Sequence, residues 1–300
     1  MELQSITAPY SALRIKNAHH GHIALCSVTR SREQTKREGS RRRGVTRFGA
    51  DFSARALLDV CLRQGYLTRM TIGILLCGDI PATLQAEFGP YSGRIRGLFG
   101  SRSARVFDVQ NGQLPRSTST CEAYVITGSD AGVYDGLPWI NDLMVFLRNA
   151  RANSKLIGIC FGHQAMAQAF GGSVIKSPKG WGIGLHRYEL HARPYWIDDG
   201  GAVAVPASHQ DQVVTLPSDA RVIAHSEFTP YAGLDYGDAI SFQFHPEFSP
   251  AFATALIGAN RDRYGALAPA AVQSHLEPDD CARVGRWIGR FLDFVEAQRY

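Results

Sequence analysis

The sequence is poor in devices that staple or coordinate. Its six cysteines, Cys26, Cys61, Cys77, Cys121, Cys160 and Cys281, include no CxxC pair, which argues against a zinc ribbon or a disulfide framework and favours a reducing, cytoplasmic setting. His186, His191, His225 and His275 fall at no metal-ligand spacing, so no metal is expected. No apolar run approaches the roughly 18 residues that a membrane-spanning helix needs, no secretory-type apolar core precedes Met70, and no internal repeat points to a solenoid. The glycines of Lys179-Gly180-Trp181-Gly182-Ile183-Gly184 lack the lysine pattern and strand–loop–helix setting of a phosphate cradle. They read as a turn before a strand, bordering whatever cleft lies near. With 45% hydrophobic and 20% charged residues, what remains is an ordinary globular composition.

The charge is unevenly spread. Residues 1–69 hold 13 Lys/Arg against 5 Asp/Glu, leaving 19 against 22 in residues 70–300, so the formal +5 belongs to the N-terminal part. That part includes Arg41-Arg42-Arg43, has few large apolar residues and shows no sustained periodicity, and is expected to be a disordered basic extension. Three readings compete for it: an upstream extension with Met70 as the functional start, an organelle-targeting segment, or a nucleic-acid arm. Met70 standing directly before the first convincing strand favours the first, and a basic run without a fold to present it argues against nucleic acid. Residues 70–300 are expected to form one domain.

From Thr71 onward short apolar runs rich in β-branched residues alternate with amphipathic or glycine-bounded segments, the pattern of an α/β fold with a mostly parallel central sheet. Ile72–Cys77, Ala104–Val109, Ala123–Thr127 and Lys155–Ile159 read as strands buried on both faces, with helices between them. After Gly171 come shorter runs, Val174–Lys176, Gly184–Leu190, Val203–Pro206, Val213–Leu216, Val222–His225 and Ala239–Phe244, which suggest an antiparallel or mixed extension. A closing helix is expected from near Pro278-Asp279, with Val284, Trp287, Ile288, Phe291, Leu292 and Val295 forming its core-facing stripe.

Two short segments carry chemistry. Gly158-Ile159-Cys160-Phe161-Gly162 follows the strand Lys155–Ile159 and precedes the helix-compatible His163–Phe170. It has the form of a nucleophile elbow with sulfur in place of oxygen: glycines let backbones pass closely, and the helix N-terminus favours a thiolate and offers N–H groups to a developing oxyanion. A cysteine ending a buried strand is by itself commonly an inert core residue. The second segment changes that reading. Phe242-Gln243-Phe244-His245-Pro246-Glu247 ends another strand with an imidazole and a carboxylate two residues apart, on one side of an extended chain. A thiol nucleophile needs a base and the base needs an orienting group, roles that His245 and Glu247 fit in turn.

These segments, Gly158-Ile-Cys160-Phe-Gly162-His-Gln164 and Phe244-His245-Pro-Glu247, resemble the two signature blocks of class I glutamine amidotransferase domains, a likeness that runs from about Met70 to Phe252. The resemblance implies a flavodoxin-like α/β sheet and a γ-glutamyl thioester on Cys160, with ammonia or amine released before hydrolysis to glutamate and no cofactor required. Thr127-Gly128-Ser129 resembles the family's oxyanion loop, implying N–H donors from Gly128 or Ser129 together with Phe161. Gln164 resembles the residue contacting the glutamyl group, and Ser208-His209-Gln210-Asp211 resembles the segment lining that pocket, implying substrate contacts for Gln164, His209 and Asp211. Within the family the likeness is to stand-alone domains similar to the amidotransferase portion of GMP synthase, but no Ser-Gly-Gly-x-Asp-type pyrophosphatase loop occurs. Three functions stay open: release of ammonia from glutamine for a separate synthase subunit, direct hydrolysis of γ-glutamyl peptides, or a binding module that has lost turnover. Glu87, Asp130 and Tyr134 are further residues able to contact a substrate.

Overall fold

The computed structural model describes Met70–Phe294 apart from Asp199. The basic extension expected over residues 1–69, and Val295 of the closing helix, lie outside the described residues. In chain order the elements are β1 (Thr71–Leu76), α1 (Ala82–Phe88), α2 (Tyr91–Gly97), β2 (Ser103–Asp108), β3 (Ala123–Ile126), α3 (Pro138–Ala150), β4 (Lys155–Ile159), α4 (Phe161–Ala169) and β5 (Ser173–Lys176). They continue with β6 (Gly182–Leu190), β7 (Val203–His209), β8 (Asp211–Thr215), β9 (Arg221–His225), β10 (Gly233–Asp235) and β11 (Ala239–Phe242). Four helices close the fold: α5 (Pro250–Ala259), α6 (Arg261–Tyr264), α7 (Ala268–Ser274) and α8 (Cys281–Asp293).

The central sheet runs β2-β1-β3-β4-β11-β10-β9-β6-β7. Its first five strands pair in parallel and the rest antiparallel, while β5 and β8 form a separate antiparallel pair. This is the expected parallel sheet with an antiparallel extension. Its 2-1-3-4 beginning, continued by β11, is a doubly wound order in which sites form beyond the carboxyl ends of the strands. Each face carries its own core. Ile72, Ile74, Ile159 and Phe242 bury against Ile95 of α2, Phe252 of α5 and Val284, Trp287, Ile288, Phe291 and Leu292 of α8. On the other face Leu75, Tyr124, Ile126 and Leu156 bury against Leu143 and Leu147 of α3 and Ala165 and Met166 of α4.

Three expectations need correction. β2 is not buried on both faces: it is the sheet's edge, paired only with β1, and Ser103, Arg105 and Val106 are exposed. The link from β2 to β3 carries short 3-10 turns at Val109–Asn111 and Thr118–Thr120 instead of an α-helix, since Ser, Thr and Pro in 115–120 favour local side-chain bonds over helix; Ser117 caps the second turn by accepting from Ser119 N–H. The runs Val174–Lys176 and Val213–Leu216, expected in the extension of the central sheet, fall in β5 and β8, which pair with each other outside it.

Candidate active site

β4 delivers Cys160 to the carboxyl edge of the sheet. The residue has φ 52° and ψ −104° and stands at the N-cap of α4; among described non-glycine residues only Ala152 also has positive φ. The elbow is held by its surroundings. Cys160 N–H donates to the Phe242 carbonyl at 2.8 Å and the Cys160 carbonyl accepts Gln164 N–H at 3.1 Å. A methyl on Gly162 would lie 2.2 Å from the Ile126 carbonyl oxygen, and one on Gly158 2.6 Å from the Gly162 carbonyl oxygen, so the turn closes only with glycine on both sides.

β11 leads into His245 and Glu247, and the imidazole Nδ1–H donates to Glu247 Oε1 at 2.7 Å. Phe248 stacks on the His245 ring with centroids 4.1 Å apart and planes 9° from parallel, fixing its orientation. Cys160 and His245 meet over Gly128: a methyl there would stand 3.7 Å from Cys160 Cβ and 3.4 Å from His245 Cε1. His245 Nε2 is buried and makes no hydrogen bond of acceptable geometry. Burial pushes the imidazolium down, but the Glu247 carboxylate and then Cys160 outweigh it and hold His245 up at about 10. The arrangement favours a protonated imidazole beside the sulfur.

A residue without sequence signal completes the geometry. The buried Tyr91, first residue of α2, donates its hydroxyl proton to Glu247 Oε1 at 2.9 Å and accepts the Gly128 N–H at 3.2 Å. Gly128 therefore has its N–H occupied, while the Ser129 N–H donates to no backbone or side-chain acceptor among the described residues. Phe161, opening α4, is one of the helix-start residues whose N–H lacks an intrahelical partner.

Beneath the sulfur lies a chain of amides. Gln164 Nε2 donates to the Asp211 carbonyl at 3.0 Å and to Gln243 Oε1 at 3.1 Å. Gln243 Nε2 in turn donates to Cys160 Sγ at 3.7 Å. Gln164 thus sets the Gln243 amide so that its NH2 end faces sulfur. Gln243 sits inside the Phe242–Glu247 segment, where its inward position at the strand end was the available signal. His209 is buried, with Nδ1 at 3.2 Å from the Asp211 carbonyl and Nε2 at 3.4 Å from Thr229 Oγ1, and burial pushes it down to about 3, leaving it neutral. Asp211 accepts from the Tyr134 hydroxyl at 2.8 Å.

A cleft of about 280 Å³ opens above these residues. Cys160, Ser129, Gln164, His209 and Asp211 line it, and so do Asp130, Tyr134 and Trp181, together with Arg263 and Tyr264 from α6; Glu87 does not. A larger, open depression of about 670 Å³ beside Lys179, His186 and Glu227 is lined by none of Cys160, His245 and Glu247. No cluster suited to a metal ion occurs among the described residues, and no described helix is long and apolar enough to cross a membrane.

The sequence profile of the family described as glutamine amidotransferase class-I matches residues 109–258. Gamma-glutamyl peptidase 3 of Arabidopsis thaliana is 31% identical over 190 residues, covering 56% of this chain and 75% of the relative. A glutamine amidotransferase-like protein of Schizosaccharomyces pombe is 30% identical over 140 residues, or 45% of this chain; the chain spans only 56% of that relative's length. Among solved structures, a glutamine amidotransferase from Thermotoga maritima superposes with a TM-score of 0.62 at 20% identity, over 75% of this chain and 98% of that one, a likeness in fold.

Proposed function

The chain belongs to the glutamine amidotransferase class-I family, and from that premise we propose that it hydrolyses the γ-amide of glutamine or of a γ-glutamyl compound with Cys160 as nucleophile, His245 as acid–base and Glu247 as orienting carboxylate. The observation carrying this reading is the junction over Gly128 of a strained, strand-end cysteine with a buried imidazole whose second nitrogen is held by a carboxylate.

Cys160 sulfur, as thiolate, adds to the γ-carbonyl carbon. The oxyanion takes the N–H groups of Phe161 and of Ser129, the loop donor left open while Tyr91 occupies Gly128. As the C–N bond breaks, the His245 imidazolium gives its proton to the departing nitrogen, leaving a γ-glutamyl thioester and ammonia or an amine. Water, deprotonated by the now neutral His245, adds to the thioester; its collapse releases glutamate and restores the thiolate–imidazolium pair. Gln243 supports the thiolate with its N–H, and Gln164, His209 and Asp211 form the wall that receives the glutamyl group.

Of the two substrate readings, γ-glutamyl peptide hydrolysis is favoured over supply of ammonia to a separate synthase subunit, because relatives at 30–31% identity that this chain covers over 74–75% of their length are gamma-glutamyl peptidases. The test is glutamate release by the purified chain from glutamine and from a panel of γ-glutamyl peptides including glutathione, with Cys160→Ala as the blank. Cys160-dependent peptide cleavage exceeding glutamine turnover is the expected result, and Cys160→Ala is expected to lower turnover by at least three orders of magnitude with the fold intact. Retained activity in Cys160→Ala would refute the nucleophile assignment; glutamine-only turnover would point to a synthase subunit.

A further inference from the structure

Two chains of contacts lead away from the Cys160 sulfur along the cleft lining. One runs through Gln164 to Asp211 and Tyr134, the end read above as the glutamyl side. The other starts at the Ser208 carbonyl, 3.9 Å from Sγ. Ser208 Oγ lies 3.1 Å from the Tyr264 hydroxyl, the Tyr264 ring meets Trp181 edge-on at 5.2 Å, and the Arg263 guanidinium lies 5.7 Å over the Trp181 ring. This second wall carries the Ser208 and Tyr264 hydroxyls and the Tyr264 and Trp181 rings, and ends in a cation. Its Arg263 and Tyr264 lie beyond the stretch matched by the family profile, which stops at residue 258.

We propose that this wall is the subsite for the leaving group, and that Arg263 binds the free carboxylate of an amino acid or peptide attached through its amino group to the γ-glutamyl unit. This rests on the hydrolase reading above and names the substrate class of the same cleft. Free glutamine has nothing beyond its amide nitrogen to place against Tyr264, Trp181 and Arg263. An α-amino acid in amide linkage has a side chain that an aromatic wall receives and a carboxylate that a guanidinium binds through paired N–H groups. Trp181 beneath the guanidinium holds it in place and leaves its edge free to donate.

Arg263 already has an anionic partner. Its Nη1 stands 3.3 Å from Asp130 Oδ1, but the Asp130 side chain is 85% exposed and that of Arg263 44%. An exposed pair of this kind contributes little and gives way to an incoming carboxylate. Asp130 therefore acts as an internal competitor at the mouth of the cleft, occupying the cation until a substrate carboxylate arrives.

The test compares kcat/KM for γ-glutamyl-alanine with that for its C-terminal carboxamide, a neutral analogue of equal size. The wild-type chain is expected to prefer the carboxylate by about tenfold, the size of one charge-assisted contact, with the difference in KM. Arg263→Ala is expected to bring the ratio to about one and Arg263→Lys to keep part of the preference. Asp130→Asn, which removes the competitor, is expected to widen it. A wild-type ratio of one, or an unchanged ratio in Arg263→Ala, overturns the inference; the latter is also the outcome if Arg263 holds the glutamyl carboxylate, which both substrates share. If Cys160-dependent cleavage proceeds without this discrimination, the subsite falls and the hydrolase reading stands. Absence of Cys160-dependent release from every γ-glutamyl substrate overturns both.

Discussion

Tyr91 joins two groups that are 119 residues apart in sequence, Gly128 and Glu247, through one hydroxyl. Its ring packs in the core while the oxygen sits where the Glu247 carboxylate and the Gly128 loop come closest; burial and the Glu247 charge push its own pKa well up, so it stays a neutral donor. Tyr91, like His245 and Glu247, is not among the residues lining the cleft. Tyr91→Phe keeps the ring and deletes the bridge, and is expected to lower kcat roughly ten- to hundredfold, the worth of a buried hydrogen bond to a charged group, with KM changing little. Steady-state kinetics on a γ-glutamyl peptide decide it: an unchanged kcat would make Tyr91 a packing residue only. The sequence carried the other members of this constellation because Cys160 and the His245–Glu247 pair lie in short segments whose glycines and proline reflect local backbone needs. Tyr91 follows Pro90 in an unremarkable stretch, and its partners are set by the crossover of α2 over the sheet, a long-range contact that no local pattern encodes.

At the scale of elements, periodicity identified β1, β3, β4 and the described part of the core stripe of α8 to within a residue or two, since burial on both faces leaves continuous apolar runs and a one-sided helix leaves spacings of 3 and 4. The start of α8 differed, falling at Cys281 after Asp279 and Asp280. The Asp280 carboxylate accepts from Ala204 N–H at 2.8 Å, tying the helix entry to β7, while Lys155 Nζ donates to the Phe291 and Leu292 carbonyls at 2.5 and 3.0 Å at the other end. Between these anchors Trp287 is fully buried, meets Trp196 at 6.5 Å and donates from Nε1 to Asp198 Oδ1 at 2.9 Å. Although α8 follows the family-matched stretch, it supplies much of one face of the core. Trp287→Ala is accordingly expected to cost about 3–5 kcal/mol, read from urea unfolding midpoints at constant slope. A loss below about 1 kcal/mol would mean that α8 is an appendage and the sheet face is covered in another way.

Over the described part of the molecule, four buried histidines set opposing demands on pH, and burial lowers His275 in the same direction as His163 and His209. Burial pushes His163 and His209 down to about 3, whereas His245 is held up at about 10 by Glu247 and Cys160 against the effect of burial. An unfolded histidine titrates near pH 6.5. For His163 and His209 the folded value lies below the unfolded one, so their contribution is complete above about pH 6.5 and is lost as pH falls towards 3. For His245 it lies above, so its contribution is complete below about 6.5 and is lost as pH rises through about 10. The two windows meet near pH 6.5, and stability is expected to peak there and fall on both sides, His163 and His209 each removing about 1–2 kcal/mol between pH 6.5 and 5. His163 isolates one side: it lies on α4, its Nδ1 bonds to Ser241 Oγ at 2.8 Å, and it is not among the cleft-lining residues. Urea midpoints measured at pH 5, 6.5 and 9 for the wild type, His163→Gln and His245→Gln test the scheme. His163→Gln should flatten only the acid side and His245→Gln only the alkaline side. An acid limb as steep in His163→Gln as in the wild type would assign the acid loss to carboxylates instead, and an unchanged alkaline limb in His245→Gln would mean that the imidazolium is not stabilised in the folded chain.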